Sequence, residues 1–414
     1  SFKSIDMPLI QPFRGLRPVP DRAADVAAPP YDVLSSTEAR ARAVGNPLNF
    51  LHISKAEIDL PIDTDPYSSA VYAKSAENFR RLIADGILIH DVAPCYYAYR
   101  LTMGEHVQTG LVAAASVADY DSNRIRKHEF TRPDKEDDRV RQIEALAAQT
   151  GPVLLAYSKS QAADDLIARA TRFVPVADVT ADGVRHTVWV IDDAATIAAL
   201  TATFDAMPSL YIADGHHRSA AASRVAASHR GQATATGAEY FLAVIFPAQQ
   251  MRILDYNRVV RDLNGLSVTD FLARIGERFA ITPVAERVRP EKPGVVGMYL
   301  GGHWYRLEID PTLIPLDDPV RRLDVSLLSE HLLEPVLAIG DLRRDKRIDF
   351  VGGIRGPAEL ERRVDGGEMA VAFAVHATQM GDLMAVADSG QVMPPKSTWF
   401  EPKLADGLVS HIID

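Results

Sequence analysis

Hydrophobic positions recur along the chain with two different periods, and the two periods alternate over most of the sequence. Segments with a period near two residues are typical of strands, and segments with a period near 3.6 are typical of helices. The pattern predicts strands over 95–103, 108–120, 153–157, 186–191, 210–213, 240–246, 294–300, 304–309, 348–352 and 369–376. It predicts helices over 67–84, 140–148, 218–229, 268–279, 327–337 and 357–364. The expected fold class is therefore α+β (mixed α/β).

The pattern restarts after residue 262, which predicts two lobes. Arg261–Gly265 is the best boundary, giving an N-terminal lobe of 1–262 and a C-terminal α/β lobe of 263–414. The first 35 residues are rich in proline, so they are expected to be extended and irregular. The C-terminal stretch is also rich in proline and is expected to pack back on the site.

Composition and charge narrow the function classes. The 414 residues carry 45 Lys plus Arg against 55 Asp plus Glu, a formal net charge of −10. This sign argues against a protein held on nucleic acid by phosphate neutralisation. The chain has no run of 18 apolar residues, so no membrane span is expected. Cys95 is the only cysteine, which excludes an intrachain disulfide and favours a cytoplasmic location. A homodimer is left open.

The sharpest local signal is the segment 211–220, where an apolar strand runs through Asp214 and Gly215 into an Ala-rich helix. Free backbone N–H groups and the positive end of the helix dipole meet at such a junction, which suits a phosphate. Gly215, His216, His217 and Arg218 are the predicted phosphate-binding residues, and Asp214 is the predicted Mg²⁺ ligand.

Two other interpretations of this segment stay open. Asp214-Gly215 can be an ordinary turn with surface histidines beside it. A zinc site on the two histidines is the other alternative, although adjacent residues rarely direct both rings at one ion and no cysteine pair accompanies them.

A second polar segment, 126–139, is dense in charge and contains Pro133 followed by an acidic run. The acidic run is ordinary first-turn chemistry for the next helix. It does not account for His128, Glu129, Arg132 and Lys135, which lie close together in the sequence. A glutamate among cations is a plausible general base or metal ligand, and a solvated charged surface is the alternative.

Two further segments are weaker candidates. The stretch 391–408 contains Lys396, Ser397 and Lys403, which would face a phosphate or a carboxylate if the tail lies at the site. The turn at 28–35 exposes Tyr31 and Asp32. Packing is the alternative for both segments. No P-loop, dinucleotide-binding glycine motif, Gly-x-Ser-x-Gly elbow or Cys-x-x-Cys pair is present.

Four motifs together carry a family resemblance. They are PPYDV at 29–33, HEFT at 128–131, ADGHHR at 213–218 and MPPKST at 393–398. Their order resembles that of a prokaryotic family catalogued as a domain of unknown function. The Asp-Gly-His-His-Arg core is also similar to that of free-serine kinases of the ParB/sulfiredoxin-like superfamily, which implies a ParB/sulfiredoxin-like core around this strand-to-helix junction.

The resemblance implies a Mg²⁺-dependent kinase that transfers a phosphoryl group from ATP or ADP to a free amino acid, with L-serine as the expected acceptor. Glu129 is the expected base, with His128 and Asp214 as further catalytic residues. Lys135 is expected to bind phosphate with the 215–218 segment. The expected substrate-binding residues are Tyr31, Asp32, Arg132, Lys396, Ser397 and Lys403. A ParB-like nucleotide switch or DNA-associated protein and a nucleotide or metal-dependent hydrolase are the alternatives.

Overall fold

The computed structural model describes residues 7–232 and 235–414. The first six residues of the predicted N-terminal lobe therefore lie outside the described residues. The chain divides by its own contacts into two compact units. Unit 1 consists of Ser1–Met251 and Pro402–Asp414, and unit 2 of Arg252–Glu401. The sequence-based division at residue 262 stays a prediction.

The α-helices of the described residues lie in both units. They are α1 Ala23–Val26, α2 Ser36–Ala43, α3 Leu51–Ser54, α4 Ser69–Ala84, α5 Val117–Asp121, α6 Pro133–Leu146, α7 Gln161–Ala170, α8 Ala194–Asp205, α9 His216–His229, α10 Val268–Ile275, α11 Asp324–Leu328, α12 Gly356–Asp365 and α13 Met380–Asp388. Short 3₁₀ turns connect several of them, and the segment Ser329–Leu333 is a π-helical turn directly after α11.

Strands of the described residues alternate with these helices. They are β1 Ile10–Gln11, β2 Leu16–Pro18, β3 Leu88–His90, β4 Tyr96–Met103, β5 His106–Ser116, β6 Ile125–Arg126, β7 Ala148–Gln149, β8 Val153–Tyr157, β9 Ala177–Ala181, β10 Val184–Ile191, β11 Leu210–Asp214, β12 Tyr240–Pro247, β13 Ile253–Leu254, β14 Tyr256–Val260, β15 Phe279–Val284, β16 Val295–Leu300, β17 His303–Ile309, β18 Ile348–Gly352, β19 Val371–Val375, β20 Trp399–Phe400 and β21 His411–Ile412. The predicted mixed α and β class is confirmed.

Unit 1 is built on a mixed sheet with the strand order β6-β11-β8-β12-β5-β4-β10-β9, and β1 pairs with β5 beside this path. β8 is parallel to β12 and antiparallel to β11. The strands β8 and β12 are buried along their whole length, as expected for strands covered on both faces. The last strand, β21, pairs with β7 and ties the C-terminal segment into unit 1.

Unit 2 is built on a six-stranded antiparallel sheet with the order β15-β17-β16-β19-β14-β18. One hydrophobic cluster of this unit includes Val259, Val351, Leu360 and Ala372. Leu360 belongs to α12, so this helix packs on the sheet through the cluster. The short strands β13 and β20 pair with each other beside the main sheet.

Several predicted element ends are wrong. The second hairpin strand stops at Ser116, because the Ser116 side chain accepts a hydrogen bond from the Asp119 N–H and caps α5. Hydrophobic periodicity alone places a helix at 140–148, but α6 begins at Pro133, where the proline and the acidic run after it indicate a first turn. The helix predicted over 268–279 ends at Ile275, and Phe279 instead begins β15.

Sequence patterns also missed whole elements, among them α7, α8, β9, β14 and α13. Among residues 7–232 and 235–414, no helix has both the length and the hydropathy needed to cross a lipid bilayer.

Candidate functional site

The junction of β11 and α9 forms the centre of the site. β11 ends at Asp214, and Gly215 then turns the chain with a φ of +98° before α9 begins at His216. A Cβ on residue 215 would lie 3.3 Å from the Val153 Cα of β8. Glycine is therefore required here both by its backbone conformation and by the closeness of the neighbouring strand.

The Asp214 carboxylate lies at the mouth of this turn. Its Oδ1 accepts a hydrogen bond from the Gly215 N–H at 2.9 Å, and its Oδ2 lies 3.7 Å from Nζ of Lys403. Burial alone would raise the pKa of Asp214, but Lys403, Arg218 and the Gly215 N–H together lower it. The side chain is 41% exposed, so an ionised carboxylate is accessible at the end of β11.

The predicted HEFT and DGHHR motifs meet in space. The His128 N–H donates to Nε2 of His216 at 3.2 Å, across 88 residues of sequence. The two rings pack edge to face with their centroids 4.4 Å apart. Nε2 of His128 lies 3.3 Å from the Ala213 carbonyl oxygen. Both histidines are buried, so they fasten the 128 segment to the start of α9.

The hydrogen bonds also fix the proton on His216. Because its Nε2 accepts the His128 N–H, the neutral ring carries its proton on Nδ1. That atom lies 3.5 Å from Oε2 of Glu129. Burial lowers the pKa of His128 to about 4, and burial together with His128 lowers the pKa of His216 well below its usual value. Two neutral rings therefore stand beside the half-exposed Glu129 side chain.

His217 makes a second attachment of the same kind. Its Nε2 accepts the Arg132 N–H at 3.2 Å, and burial lowers its pKa. The Arg132 side chain itself pairs with Asp134 at 2.8 Å on the surface. The two adjacent histidines of α9 thus hold both ends of the 128–132 segment, and their predicted role in phosphate binding stays a prediction.

Arg218 points into unit 1. Its Nη1 donates to the Pro152 carbonyl oxygen, and its Nη2 lies 3.6 Å from Oδ2 of Asp32. The guanidinium carbon lies 5.9 Å from the centroid of the Tyr31 ring. The PPYDV and DGHHR motifs therefore share one ion pair.

Asp406 also belongs to this cluster, although the sequence analysis gave it no role. It is 3% exposed and lies on the wall of a small cavity with Arg218, Arg139 and Tyr31. Burial raises its pKa to about 7, although Arg218 and Arg139 oppose that rise. The signal in the sequence was weak, since an acidic residue among Leu404, Ala405 and Leu408 is only a hint of a buried carboxyl.

Arg139 was also missed as a site residue, although it ended the charged segment. Its guanidinium carbon lies 3.8 Å from the centroid of the Tyr31 ring, and its Nη2 donates to Asp138 at 2.6 Å. Tyr72 from α4 donates to the other oxygen of Asp138 at 2.5 Å. Tyr31 therefore lies between the guanidinium groups of Arg139 and Arg218 in a continuous polar network.

A pocket of about 240 Å³ opens beside this network. Its walls come from the Tyr31 turn, the segment around Glu57, α4 and α6. The charged lining residues are of both signs, three cationic (Lys55, Lys135, Arg139) and three acidic (Asp32, Glu57, Asp138). Lys135 also donates to the Tyr67 hydroxyl at 3.1 Å. Within this lining Arg139 pairs with Asp138 at 2.6 Å and Nζ of Lys55 lies 3.4 Å from Oε1 of Glu57, so part of the lining charge is already neutralised.

The remaining predicted residues divide between the units. Lys403 lies in unit 1 next to Asp214, as described above. Lys396 and Ser397 lie in unit 2, where the Ser397 hydroxyl donates to the Pro394 carbonyl at 2.6 Å. Lys396 has a φ of +57°, an uncommon conformation for a residue with a side chain.

The side chains at the β11 junction do not form a preassembled metal centre. Within the part of the chain that the structure describes, no three His, Cys, Asp or Glu residues are grouped so as to hold a metal ion. Mg²⁺ in phosphate-binding sites usually takes only one or two carboxylates and completes its shell with phosphate oxygens and water. Asp214 is ionised and accessible, so its carboxylate fits that arrangement.

The sequence matches a known family over most of its length. Residues 10–326 match the model of the family described as a protein of unknown function, DUF1015. The chain belongs to this family. A search of curated proteins found no match.

Solved structures with similarity to this chain include three proteins. Free serine kinase in complex with AMP is 12% identical, with 70% of this chain and 86% of that chain covered and a TM-score of 0.35. SbnI with a C-terminal truncation, from Staphylococcus aureus, is 12% identical, with 73% and 87% covered and a TM-score of 0.38. A conserved hypothetical protein from Pyrococcus furiosus is 13% identical, with 73% and 95% covered and a TM-score of 0.35. TM-scores below 0.5 establish neither a common fold nor a common reaction.

Proposed function

We propose that this protein is a kinase that transfers a phosphoryl group from ATP or ADP to the hydroxyl of a free amino acid, with L-serine as the first candidate. The Asp-Gly-His-His-Arg motif, which is similar to that of free-serine kinases, suggests the reaction class. A ParB/sulfiredoxin-like core around β11 and α9 is part of the same proposal.

The observation that carries the proposal is the placement of two carboxylates at one helix N-terminus. Asp214 ends β11, Gly215 makes the turn, and Glu129 lies 3.5 Å from His216, the first residue of α9. The first N–H groups of a helix have no partner within the helix and favour a phosphate. A base and a phosphate site next to each other are what phosphoryl transfer needs.

The proposed reaction uses these positions as follows. Glu129 takes the proton of the acceptor hydroxyl, and the hydroxyl oxygen forms a bond to the terminal phosphorus of the nucleotide. The bond from that phosphorus to its bridging oxygen breaks, and ADP or AMP leaves with the electron pair. Lys403 and the N–H groups of α9 stabilise the charge on the transferred group. Neutral His216 holds Glu129 in place through its Nδ1 proton.

Mg²⁺ would be held by Asp214 together with the nucleotide phosphates, and when bound it would neutralise phosphate charge. Lys403 lies 3.7 Å from the same carboxylate, so this cation orients Asp214 before the nucleotide arrives.

The mixed-charge pocket supports a free amino acid as the acceptor. An ammonium group matches Asp32 or Glu57, and a carboxylate matches Lys135 or Arg139. The volume of about 240 Å³ is below the range of roughly 300–1,000 Å³ typical of pockets for drug-sized ligands, so it favours a small acceptor.

The test is phosphoserine formation by the Glu129→Gln variant. Glutamine keeps the size of the side chain but cannot take the hydroxyl proton, and a general base contributes roughly 10²–10⁴-fold to rate. We expect kcat to fall by about that factor, measured by mass spectrometry of the product with L-serine, Mg²⁺ and either ATP or ADP.

Glu105→Gln is the matched control, because Glu105 lies at the exposed turn between β4 and β5. It should retain full activity. Full activity in the Glu129 variant would remove Glu129 from the mechanism. Release of inorganic phosphate without any amino-acid acceptor would instead favour the hydrolase alternative.

A further inference from the structure

Arg258 is a fully buried arginine in the sheet of unit 2. It lies in β14, between β18 and β19, and is 0% exposed. Its Nη1 donates to the Tyr256 carbonyl oxygen in the same strand. Nε and Nη2 have no hydrogen-bond partner among the described residues. Buried charged groups of this kind nearly always have partners.

The unpaired atoms are the two that arginine uses for bidentate binding of an oxyanion. Other arginines of this chain show the arrangement directly. In each of them Nε and Nη2 together contact one carboxylate, and the examples are Arg17 with Asp91, Arg185 with Asp178 and Arg362 with Glu359. In Arg258 the same edge faces no acidic residue, and the ion pairs of the described residues do not include it.

Burial without an acidic partner is energetically unfavourable for a guanidinium. Burial lowers the pKa of Arg258 to about 9, and only Tyr256 opposes this shift. The side chain is still charged at neutral pH. A purely structural role would be filled better by an apolar side chain of similar size, since replacing buried ionic groups with hydrophobic ones is often neutral or stabilising.

The surroundings of Arg258 are aromatic and cationic. Its guanidinium carbon lies 5.1 Å from the centroid of the Phe350 ring. The Tyr256 ring packs edge to face against Phe350 at 6.0 Å and against Trp399 at 5.2 Å, and Nζ of Lys396 lies 5.8 Å from the Tyr256 centroid. The three aromatic residues are only partly buried, so this side of the cluster is the one that solvent reaches.

We propose that Arg258 is the anchor of an anion-binding site in unit 2, which takes the phosphate or carboxylate of a small ligand through the Nε and Nη2 edge. Planar, fork-shaped donors match both oxyanions. Lys396 adds a second positive charge beside the aromatic residues. The inference concerns binding only, so it does not depend on the proposed phosphoryl transfer.

The test compares the full-length protein with its Arg258→Met variant in thermal unfolding and in calorimetric titration. The probes are inorganic phosphate and acetate, which separate a phosphate ligand from a carboxylate ligand; AMP and L-serine are left out because the proposed site in unit 1 would also bind them. We expect the variant to unfold at the same temperature as the wild type or higher without ligand. We expect its affinity for phosphate, or for acetate, to be at least tenfold weaker.

Arg321→Met is the matched control, because Arg321 lies in the same unit, is largely exposed and pairs with Glu330. It should bind every probe as the wild type does. Arg258→Lys keeps the charge but loses the fork, so it should show the same tenfold loss and serves if the methionine variant does not fold. Unchanged binding in the Arg258 variants, or no binding of any probe by the wild type, would overturn the proposal.

Discussion

Arg218 is the residue on which the buried electrostatics of unit 1 converge. Its guanidinium contacts Asp32 and the Pro152 carbonyl and lies near Asp406 and the Tyr31 ring. Two carboxyl groups, the exposed Asp32 and the buried Asp406, thus lie near one cation. The raised pKa of Asp406 follows, because burial and the nearby Asp32 charge both disfavour its ionised form.

This environment makes the stability of the protein depend on Asp406 near neutral pH. The pKa of Asp406 rises from an ordinary value of 3.8 to about 7 on folding. Between these values the folded state binds more protons than the unfolded state, so the stabilisation is present at low pH and is lost as pH rises toward 7. Asp406→Asn removes this dependence.

The measurement is urea unfolding of the wild type and Asp406→Asn at several pH values. We expect the difference in free energy of unfolding between the variant and the wild type to change in favour of the variant by roughly 1.4 kcal/mol between pH 5 and pH 6, and by less per pH unit as pH 7 is approached. For Asp63→Asn, a change in an exposed loop, the free energy of unfolding should depend on pH as it does in the wild type. Parallel curves for the wild type and the Asp406 variant would contradict the raised pKa.

Sequence patterns identify residues that act through their immediate neighbours and miss those that act through distant ones. Asp214, Gly215 and Arg218 could be predicted from the sequence, because a strand, a turn and a helix follow one another in a short segment. Asp406 and Arg258 carry no such local signal. Their chemistry comes from burial and from residues far away in the chain, which a single sequence does not contain.

The strand-turn-helix unit of β11, Gly215 and α9 is the element that positions the site. Its local signals all agree, since an apolar strand, a glycine and an Ala-rich helix follow in order. The element was therefore predicted almost to the residue. The neighbouring helix α5 was missed, because it depends on the Ser116 cap, which hydrophobic periodicity does not register. The start of α6 was indicated only by Pro133 and the acidic residues after it.

Gly215→Ala tests the requirement for this turn. The residue has a φ of +98°, and a Cβ would lie 3.3 Å from the Val153 Cα and 3.4 Å from its Cγ1. The left-handed conformation alone costs a residue with a Cβ about 1–2 kcal/mol, and the strand contact adds to that. We expect the free energy of unfolding to fall by more than this amount, measured by urea titration.

Gly231→Ala provides the comparison at the other end of α9. Gly231 has a φ of +89°, but nothing lies within 4 Å of its Cβ position. It should show the conformational cost without the steric one. Equal losses in the two variants would mean that the contact with β8 contributes nothing.

At the scale of the whole molecule, an acidic chain places several of its cations at the candidate site. The net charge is −10, yet Arg139, Arg218 and Lys403 all lie near the β11 junction or its network. Composition argued against a broad polyanion-binding surface on physical grounds, but it did not locate the pocket. That location depends on packing between segments that are far apart in sequence.

The proposed site also predicts how Mg²⁺ binds. Asp214 alone supplies too few oxygen ligands to bind Mg²⁺ tightly. Mg²⁺ is therefore expected to bind only together with a nucleotide, whose phosphates supply the other oxygens. Mg²⁺ at millimolar concentration should leave the melting temperature unchanged, whereas Mg²⁺ with ADP should raise it more than ADP alone does.

The Asp214→Asn variant should lose the Mg²⁺-dependent part of that rise and keep the response to ADP alone. A large shift with Mg²⁺ in the absence of nucleotide would point to a metal site built from the protein alone, which contradicts the proposal.

The discontinuity of unit 1 has a consequence for biosynthesis. Residues 402–414 supply Asp406, whose backbone pairs with Ala28, and β21, which pairs with β7. During translation every residue of unit 2 leaves the ribosome before this last segment does. Unit 1 is therefore begun first but completed last, because β21 is synthesised after the whole of unit 2. A chain released before residue 402 lacks Lys403 and Asp406, so an unfinished product is left without part of the site.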